Sequence, residues 1–199
     1  MPRCRQTIGL DFYERVLKIQ GHEVTLQLWD VGGQSLTSKM INQFVHGSGV
    51  IFICYDVTDA ASFADAEDWL STCHRALAAR PQKVPPLIYL CGNKVDLEHL
   101  RKVRAEDHER FVAEHGLSGG FFISARSGEN VLSSFYAAAA RFLGKTVTAS
   151  ELETLRKVIG VAVVRGDDEA RTAEADRIER EDAEAERRKH GGGGCCCVQ

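Results

Sequence analysis

The fold is decided by an uninterrupted apolar run, GVIFICY, at residues 49–55. Two shorter runs of the same kind follow it, LIYLC at residues 87–91 and FFI at residues 121–123. Strands that are apolar at every position are typical of a parallel sheet with both faces covered. Helical patterns separate or follow these runs, at about residues 62–79, 105–115 and 131–143. This alternation predicts right-handed βαβ units and an α/β fold with a doubly wound, mostly parallel sheet.

A β-hairpin is predicted before this sheet. Apolar and polar residues alternate over most of residues 12–19 and again over residues 23–29, which is the period of a half-buried strand. Gly21 and His22 separate the two segments. We therefore expect an antiparallel pair of strands with its turn at these two residues.

The composition is that of an ordinary globular protein. The chain has 199 residues, of which 44% are hydrophobic and 27% are charged, enough for one sizeable core. It contains no apolar run of the ~18 residues that indicate a transmembrane helix, and no secretory signal pattern. The net charge of −3 lies in residues 165–190, and no basic stripe is present. We therefore expect a cytoplasmic protein that does not bind nucleic acid.

The character of the sequence changes after Gly144. Ser150 and Glu153 have the spacing of a capping box, which predicts a helix opening there and running through Val164. Residues 165–190 are charged and rich in alanine, which favours a solvated, partly helical tail over a coiled-coil surface. The predicted organisation is a globular domain at residues 1–145, a helical and charged tail at 146–194 and a terminal cysteine motif at 195–199.

The cysteines and histidines of the globular part give little chemical signal. Four cysteines are scattered singly, Cys4, Cys54, Cys73 and Cys91. In a cytosolic chain such cysteines are typically reduced, buried side chains. His108 and His115 lie seven residues apart on one predicted helix, a spacing more typical of a solvated face than of a metal site.

A polar tetrapeptide, Asn93-Lys94-Val95-Asp96, follows the apolar run at residues 87–91. A carboxylate at this strand end can accept two hydrogen bonds from the adjacent N–H donors of guanine, a pair that adenine does not present. The lysine stem can cover the flat base, and the asparagine can tie neighbouring loops together. The alternative interpretation is a turn that only ends the strand.

Two further polar groups lie at predicted strand ends. Asp30 is followed closely by paired glycines and Gln34. Glycines let the backbone approach a phosphate and its metal ion, and a glutamine can orient an attacking water. A glycine turn with an incidental glutamine is the alternative. Ser124-Ala125-Arg126 follows the run at residues 121–123 and can present a backbone N–H to a base carbonyl.

In their order and spacing, these motifs resemble the small GTPases. The series is TIGLDF at residues 7–12, WDVGGQ at 29–34, NKVD at 93–96 and SAR at 124–126. The resemblance extends in register from residue 5 to about residue 145. The resemblance is greatest to the Rab proteins. Among them it is greatest to the divergent Rab twenty-eight branch, which is similar in its Gly-Gly-Gln sequence. It implies a Ras-type, P-loop NTPase-like fold. Ser35 and Leu36 replace an acidic–basic pair of typical Rab proteins, so partner identity cannot be transferred.

The resemblance implies a role for each matched residue. Thr7 would reach Mg²⁺ and sense the γ-phosphate, Asp30 would hold the ion through water, and Gly33 would offer its N–H to that phosphate. Gln34 would position the hydrolytic water. Guanine would be bound by the last two motifs, through Asn93, Lys94, Asp96, Ser124, Ala125 and Arg126. Effector proteins would bind a hydrophobic surface of four residues, Ile8, Phe12, Trp29 and Phe44. On the residues alone, the three aromatic ones can also be partly buried core.

One part of the family pattern has no match in these 199 residues. The phosphate-binding loop Gly-x4-Gly-Lys-Ser/Thr, whose backbone N–H groups wrap the phosphates, does not occur. By the resemblance, this loop would precede Thr7, together with the first, central strand and the first helix. We therefore expect an N-terminally incomplete version of a normal GTPase. The alternative is a non-hydrolysing adaptor, a pseudo-GTPase that keeps the effector surface and the lipid anchor.

Three cysteines lie together at the C-terminus. Cys196-Cys197-Val198-Gln199 has the C-a-a-X form, whose glutamine favours farnesylation of Cys196. It also fits the Rab pattern of two geranylgeranyl groups, on Cys196 and Cys197. Cys195 can add a palmitoyl chain, and incidental or metal-binding cysteines are the alternative. The prediction is a peripheral protein held at the cytosolic face of a membrane by its prenyl group.

The sequence therefore predicts a Rab-like GTP/GDP-binding switch and GTP hydrolase that acts in vesicle or endosomal membrane traffic. Its cofactors would be GTP or GDP and Mg²⁺. Its partners would be effector, exchange-factor and GTPase-activating proteins, a prenyltransferase and a membrane surface.

Overall fold

The computed structural model describes residues 10–32 and 41–162, and it opens with an antiparallel hairpin. Strand β1 (Leu10–Ile19) pairs with β2 (His22–Val31). Gln20 and Gly21 have φ angles of 49° and 84°, the positive values that a two-residue hairpin turn requires. The predicted hairpin is confirmed, but its turn lies at Gln20 and Gly21, because His22 already pairs with Ile19.

A parallel sheet follows the short helix α1 (Ile41–Val45). Its strands pair in the order β3 (Val50–Asp56), β4 (Leu87–Asn93) and β5 (Gly119–Phe122). These are the three apolar runs of the sequence, so the α/β class with a parallel sheet is confirmed. The five residues of α1 are too few to show a helical period, and this helix was not predicted.

Three helices accompany the parallel strands. Helix α2 (Ala60–Ala79) connects β3 to β4, α3 (Ala105–Glu114) connects β4 to β5, and α4 (Val131–Phe142) follows β5. Each lies within two residues of its predicted bounds. A short 3₁₀ helix (Val95–Leu100) begins just after β4.

The last described helix, α5 (Ala149–Ala162), starts earlier than the sequence indicated. The Thr148 N–H donates to Glu151 Oε2 over 2.8 Å, and the Glu151 N–H donates to Thr148 Oγ1 over 3.2 Å. This reciprocal pair is a capping box. The predicted box at Ser150 and Glu153 is therefore wrong, and Val164 lies outside the described residues.

The two larger hydrophobic clusters among the described residues lie on the parallel sheet and on α4. The first lies between the sheet and helices α2 and α3, and its buried members include Ile53, Leu70, Leu90 and Phe111. The second joins α4 to the hairpin and to α5, through Leu17, Ile19, Tyr136 and Ala140 with Leu152 and Leu155. Ile19, Leu90 and Ala140 are fully buried, so both cores exclude solvent at their centres.

The five strands that the structure describes form two separate sheets. In the described part of the chain β1 and β2 pair only with each other, and no ladder joins them to β3, β4 or β5. Helix α4 contacts both β1 and β3. The hairpin and the parallel sheet are thus connected through packing on α4. Within the described residues, no helix combines the length and the apolar character needed to cross a membrane.

Candidate functional site

The polar motifs meet at the carboxyl ends of the parallel strands. Asp56 ends β3 and Asn93 ends β4, and the two are partners in the strand register. Ser124 follows β5 closely and is fully buried. In open α/β sheets this edge is where ligands bind, so the sheet brings together three polar side chains that are distant in the sequence.

Asn93 joins the loop after β4 to the loop after β5. Its Oδ1 accepts a hydrogen bond from the Lys94 N–H at 2.7 Å and another from the Ala125 N–H at 3.0 Å. The Val95 N–H also donates to the Ile123 carbonyl over 3.2 Å. These bonds confirm the expected tie between the loops. They also occupy the Ala125 N–H, which was expected to face a base carbonyl.

The Asp96 carboxylate is held in place by a buried serine. Ser124 Oγ donates to Asp96 Oδ1 over 2.6 Å and accepts the Ser127 N–H at 3.1 Å. Asp96 itself is exposed. Within the described residues the other oxygen, Oδ2, has no hydrogen-bond partner. An exposed, oriented carboxylate of this kind is suited to a ligand edge with adjacent N–H donors.

Lys94 is positioned by its backbone and by an ion pair. Its φ of 69° lies in the left-handed region, and its Nζ lies 2.5 Å from Asp56 Oδ2. Asp56 also accepts hydrogen bonds from Thr58, from N–H at 2.8 Å and from Oγ1 at 2.7 Å. Partial burial opposes ionisation of Asp56, but the hydrogen bonds from Lys94 and Thr58 outweigh it and lower the pKa of Asp56. The Lys94 ammonium group is therefore anchored to the residue that ends β3.

Asp56 and Thr58 were not identified from the sequence. The available signal was positional, since Asp56 follows the apolar run at residues 49–55 in the same way as Asn93 follows the next run. Ala125 and Arg126 are exposed at the same edge. The described cluster is thus larger than the predicted one by the two residues that hold Lys94.

The phosphate and metal side of the predicted site is described only in part. Asp30 is exposed at the end of β2, and Gly32 after it is buried. Thr7, Ile8, Gly33 and Gln34 lie outside the described residues. The described ranges contain no group of three or more metal-ligating side chains. A single carboxylate suits Mg²⁺, which commonly retains several waters.

Three aromatic side chains form a continuous row on the hairpin and α1. The ring centroids of Phe12 and Trp29 lie 4.5 Å apart, and those of Trp29 and Phe44 lie 5.2 Å apart. Phe12 is 45% exposed and Trp29 is 49% exposed. Phe44 is half-buried. We call these three residues the aromatic row, and its accessible rings are of the kind enriched in protein interfaces.

The predicted burial was wrong for two residues. His108, expected on a solvated helix face, is buried and lies 3.0 Å from the Tyr55 hydroxyl through its Nδ1. Cys54, expected to be buried, is exposed. The sequence patterns correctly predict a helix at His108 and a strand at Cys54. Whether each side chain is buried depends on the elements that pack against it. The terminal residues Cys195, Cys196 and Cys197 lie outside the described residues.

The fold and the strand-end cluster agree with the comparisons with known proteins. The sequence profile described as "Ras family" matches residues 2–143. The chain therefore belongs to the Ras family.

Rab proteins are among the relatives that this chain resembles. The chain is 35% identical over 161 residues to Ras-related protein Rab-28 of Caenorhabditis elegans, covering 80% of this chain and 63% of that protein. It is 35% identical over 140 residues to Rab-13 of Rattus norvegicus, covering 70% and 66%. It is 34% identical over 143 residues to Rab-26 of Homo sapiens, covering 72% and 54%. The chain is thus of the Rab type, and it spans less than two thirds of the length of each of these relatives.

Proposed function

We propose that this protein is a guanine-nucleotide-binding switch of the Rab type that hydrolyses GTP and acts in membrane traffic. The observation that carries the proposal is the Asp96 carboxylate held by Ser124 at the strand edge, 2.6 Å from its hydroxyl. Membership of the Ras family and similarity to three Rab proteins support it.

Selection of guanine follows from the chemistry of this carboxylate. Asp96 would accept hydrogen bonds from the two adjacent N–H groups of guanine, and Ser124 would keep the acceptor oriented while the base binds. The stem of Lys94 would cover one face of the base. The Ala125 N–H is bonded to Asn93 Oδ1, so it would share or exchange this bond to reach the base carbonyl. Arg126 is exposed beside it and would contact the nucleotide from solvent.

Hydrolysis would use residues at the ends of β1 and β2. Asp30 would hold Mg²⁺ through water, Thr7 would bind the ion directly, and Gly33 would donate its N–H to the γ-phosphate. Bound Mg²⁺ neutralises negative charge on the phosphates. Gln34 would position the attacking water. Loss of the γ-phosphate would release the contacts made by Thr7 and Gly33, which is how such loops switch between two states.

Partner proteins and membranes would use separate parts of the chain. The aromatic row, together with Ile8, would be an effector surface. Exchange-factor and GTPase-activating proteins would act on the nucleotide. A prenyltransferase would modify Cys196, alone or with Cys197, and Cys195 would add a palmitoyl chain. One lipid chain binds membranes only reversibly, so a second lipid or a basic cluster is required for stable attachment.

The nucleotide site is tested by replacing its carboxylate. We expect Asp96→Asn to weaken binding of fluorescently labelled GDP by about 5- to 150-fold, the equivalent of about 1–3 kcal/mol for a lost charged hydrogen bond. The same variant gains binding of labelled xanthosine diphosphate, because the asparagine amide donates to the xanthine carbonyl. Asp65→Asn, an exposed aspartate on α2, is the matched control and leaves both affinities unchanged.

Two results decide the proposal. Equal loss of GDP binding in both variants, or none in Asp96→Asn, overturns the assignment of the carboxylate. Absence of any guanine nucleotide in a purified full-length protein that includes the segment before Thr7, together with no GDP binding in titration, favours the adaptor that binds effectors without nucleotide.

A further inference from the structure

The backbone around Asp56, the last residue of β3, is held by hydrogen bonds on several sides. The Asp56 N–H donates to Ser62 Oγ over 3.0 Å. The Val57 N–H donates to the Asn93 carbonyl over 3.0 Å, and the Val57 carbonyl accepts the Lys102 N–H at 2.8 Å. These bonds join the end of β3 to the end of β4 and to the start of α2. Asp56 is therefore attached to a well-fixed part of the backbone.

The two oxygens of the Asp56 carboxylate have different partners. Oδ1 accepts hydrogen bonds from Thr58, from N–H at 2.8 Å and from Oγ1 at 2.7 Å. Oδ2 lies 2.5 Å from Lys94 Nζ. The Asp56 side chain is 19% exposed, whereas the Lys94 side chain is 51% exposed. A largely shielded carboxylate thus holds the ammonium group of a lysine whose side chain is still half accessible to a ligand.

Lys94 is fixed at both ends. Its backbone, with a φ of 69°, lies in the loop after β4 and precedes the 3₁₀ helix that contains Asp96. Its ammonium group lies at the end of β3, beside Asp56. A lysine side chain loses much rotamer freedom when a ligand immobilises it. Because the ion pair has already removed part of that freedom, less is lost when a ligand binds against the stem.

We propose that Asp56 is a positioning residue for the nucleotide, whose carboxylate holds the Lys94 ammonium group so that the lysine stem is ready to cover one face of guanine. This inference rests on the proposed function, in which Lys94 covers the base. Asp56 itself touches no part of the base edge. It acts through Lys94, and its effect is to slow release of the nucleotide.

The sign of the effect separates positioning from simple electrostatics. Removal of a negative charge near an anionic nucleotide, taken alone, strengthens nucleotide binding. A freed lysine ammonium that turned to the phosphates would strengthen it further. Loss of the anchor for Lys94 has the opposite effect, because the stem must then be ordered by the nucleotide itself. Weaker binding after removal of the Asp56 charge is therefore specific to the positioning role.

Release of fluorescently labelled GDP tests this role in the full-length protein that includes the segment before Thr7. Asp56→Asn removes the charge and keeps an oxygen that can accept both bonds from Thr58. We expect GDP to dissociate about two- to fivefold faster, the size typical of a partly exposed ion pair. Asp59→Asn is the matched control. It removes the same charge from the exposed N-cap of α2, where asparagine also caps, and should not accelerate release.

Two further measurements distinguish positioning from a damaged fold. Lys94→Met keeps an unbranched apolar stem without the ammonium group, so Asp56→Asn should not change the release rate in that background. Labelled inosine diphosphate lacks the 2-amino group of guanine. Asp56→Asn should accelerate its release by the same factor as for GDP, because a stem covers the face of a base. Asp96→Asn, which acts at the base edge, should weaken inosine diphosphate binding less than GDP binding.

The proposal is overturned by unchanged or slower GDP release in Asp56→Asn, by equal acceleration in Asp59→Asn, or by an undiminished effect of Asp56→Asn in the Lys94→Met background. Failure of the proposed function has a different signature. In that case the unsubstituted full-length protein binds no GDP, and the role of Asp56 is lost with it. If that protein binds GDP, the three results bear on Asp56 alone.

Discussion

Burial of His108 makes the stability of the fold depend on pH in the acidic range. The side chain is 2% exposed, its Nδ1 lies 3.0 Å from the Tyr55 hydroxyl oxygen, and its Nε2 has no partner among the described residues. Desolvation, with a smaller contribution from the positive charge of Arg101, lowers the pKa of His108 from 6.5 to about 4. A protonated ring would add a second buried N–H and a charge facing Arg101, so the folded protein holds the ring neutral.

The sign and size of the effect follow from this shift. Because the pKa of His108 is lower in the folded protein, the unfolded chain binds a proton at higher pH. The stabilisation is fully present above the unfolded pKa and is lost as the pH falls to the folded pKa of about 4. A shift of about 2.5 units corresponds to about 3 kcal/mol of unfolding free energy lost across this window.

Urea unfolding followed by circular dichroism measures this loss at a series of pH values from about 7 to about 4. His108→Gln removes the titrating group and keeps a side chain that can bond to Tyr55. We expect the unsubstituted protein to lose about 3 kcal/mol more than this variant between the two ends of the series. Carboxylates contribute equally to both proteins and cancel in the difference. His99→Gln, at an exposed histidine, is the control and should follow the unsubstituted protein. Parallel curves for the unsubstituted protein and His108→Gln would refute the reasoning.

Two stability predictions concern the packing around His108 and the start of α5. A Cβ at Gly120 would overlap the buried His108 ring, so Gly120→Ala should destabilise by about 1–3 kcal/mol in urea unfolding. If overlap with His108 is the cause, Gly120→Ala should lower the free energy of unfolding by less in a His108→Ala background. An equal loss in both backgrounds contradicts this explanation. Thr148→Ala removes the cap of α5 and should cost about 1 kcal/mol, while Thr154→Ala, at an exposed threonine inside the same helix, should cost less. Equal costs would show that the capping box contributes nothing.

The strands and the site edge could be predicted because their signals are local. The apolar run at residues 49–55 is a strand at almost every position, and the polar residues at its end and at the end of β4 necessarily meet at one edge of a parallel sheet. The pairing of Ser124 with Asp96 could not be predicted. It depends on the turn after β5, where the Ser127 N–H fixes the serine hydroxyl, and a tripeptide carries no sign of that geometry.

The start of α5 shows why local signals can conflict. Thr148 with Glu151 and Ser150 with Glu153 both satisfy the capping-box spacing. The sequence alone does not distinguish them. The helix starts at the earlier pair while Leu152 and Leu155 pack on the core shared with the hairpin. Tertiary packing thus selects between two locally equivalent caps.

Burial of single residues was the least predictable property. His108 lies on α3 with charged residues on both sides in the sequence, yet its ring lies 4.3 Å from the Phe122 ring by their centroids. That contact exists because Gly120, two residues earlier in β5, leaves room for the ring. The necessary space is created by a residue twelve positions away, which a helical period cannot reveal.

The separation of the described strands into two sheets has a consequence for how the protein opens. Within residues 10–32 and 41–162, the amides of the hairpin are protected by a ladder that involves only β1 and β2. This ladder can break while the ladder of β3, β4 and β5 stays intact. Hydrogen exchange should therefore resolve two cooperative units. The hairpin amides should exchange through a local opening that costs less free energy than opening of the parallel sheet. The slowest amides should lie in β4, which is bonded on both sides and buried along most of its length. Helix α4, which contacts both units, keeps its protection when the hairpin opens and loses it only in global unfolding.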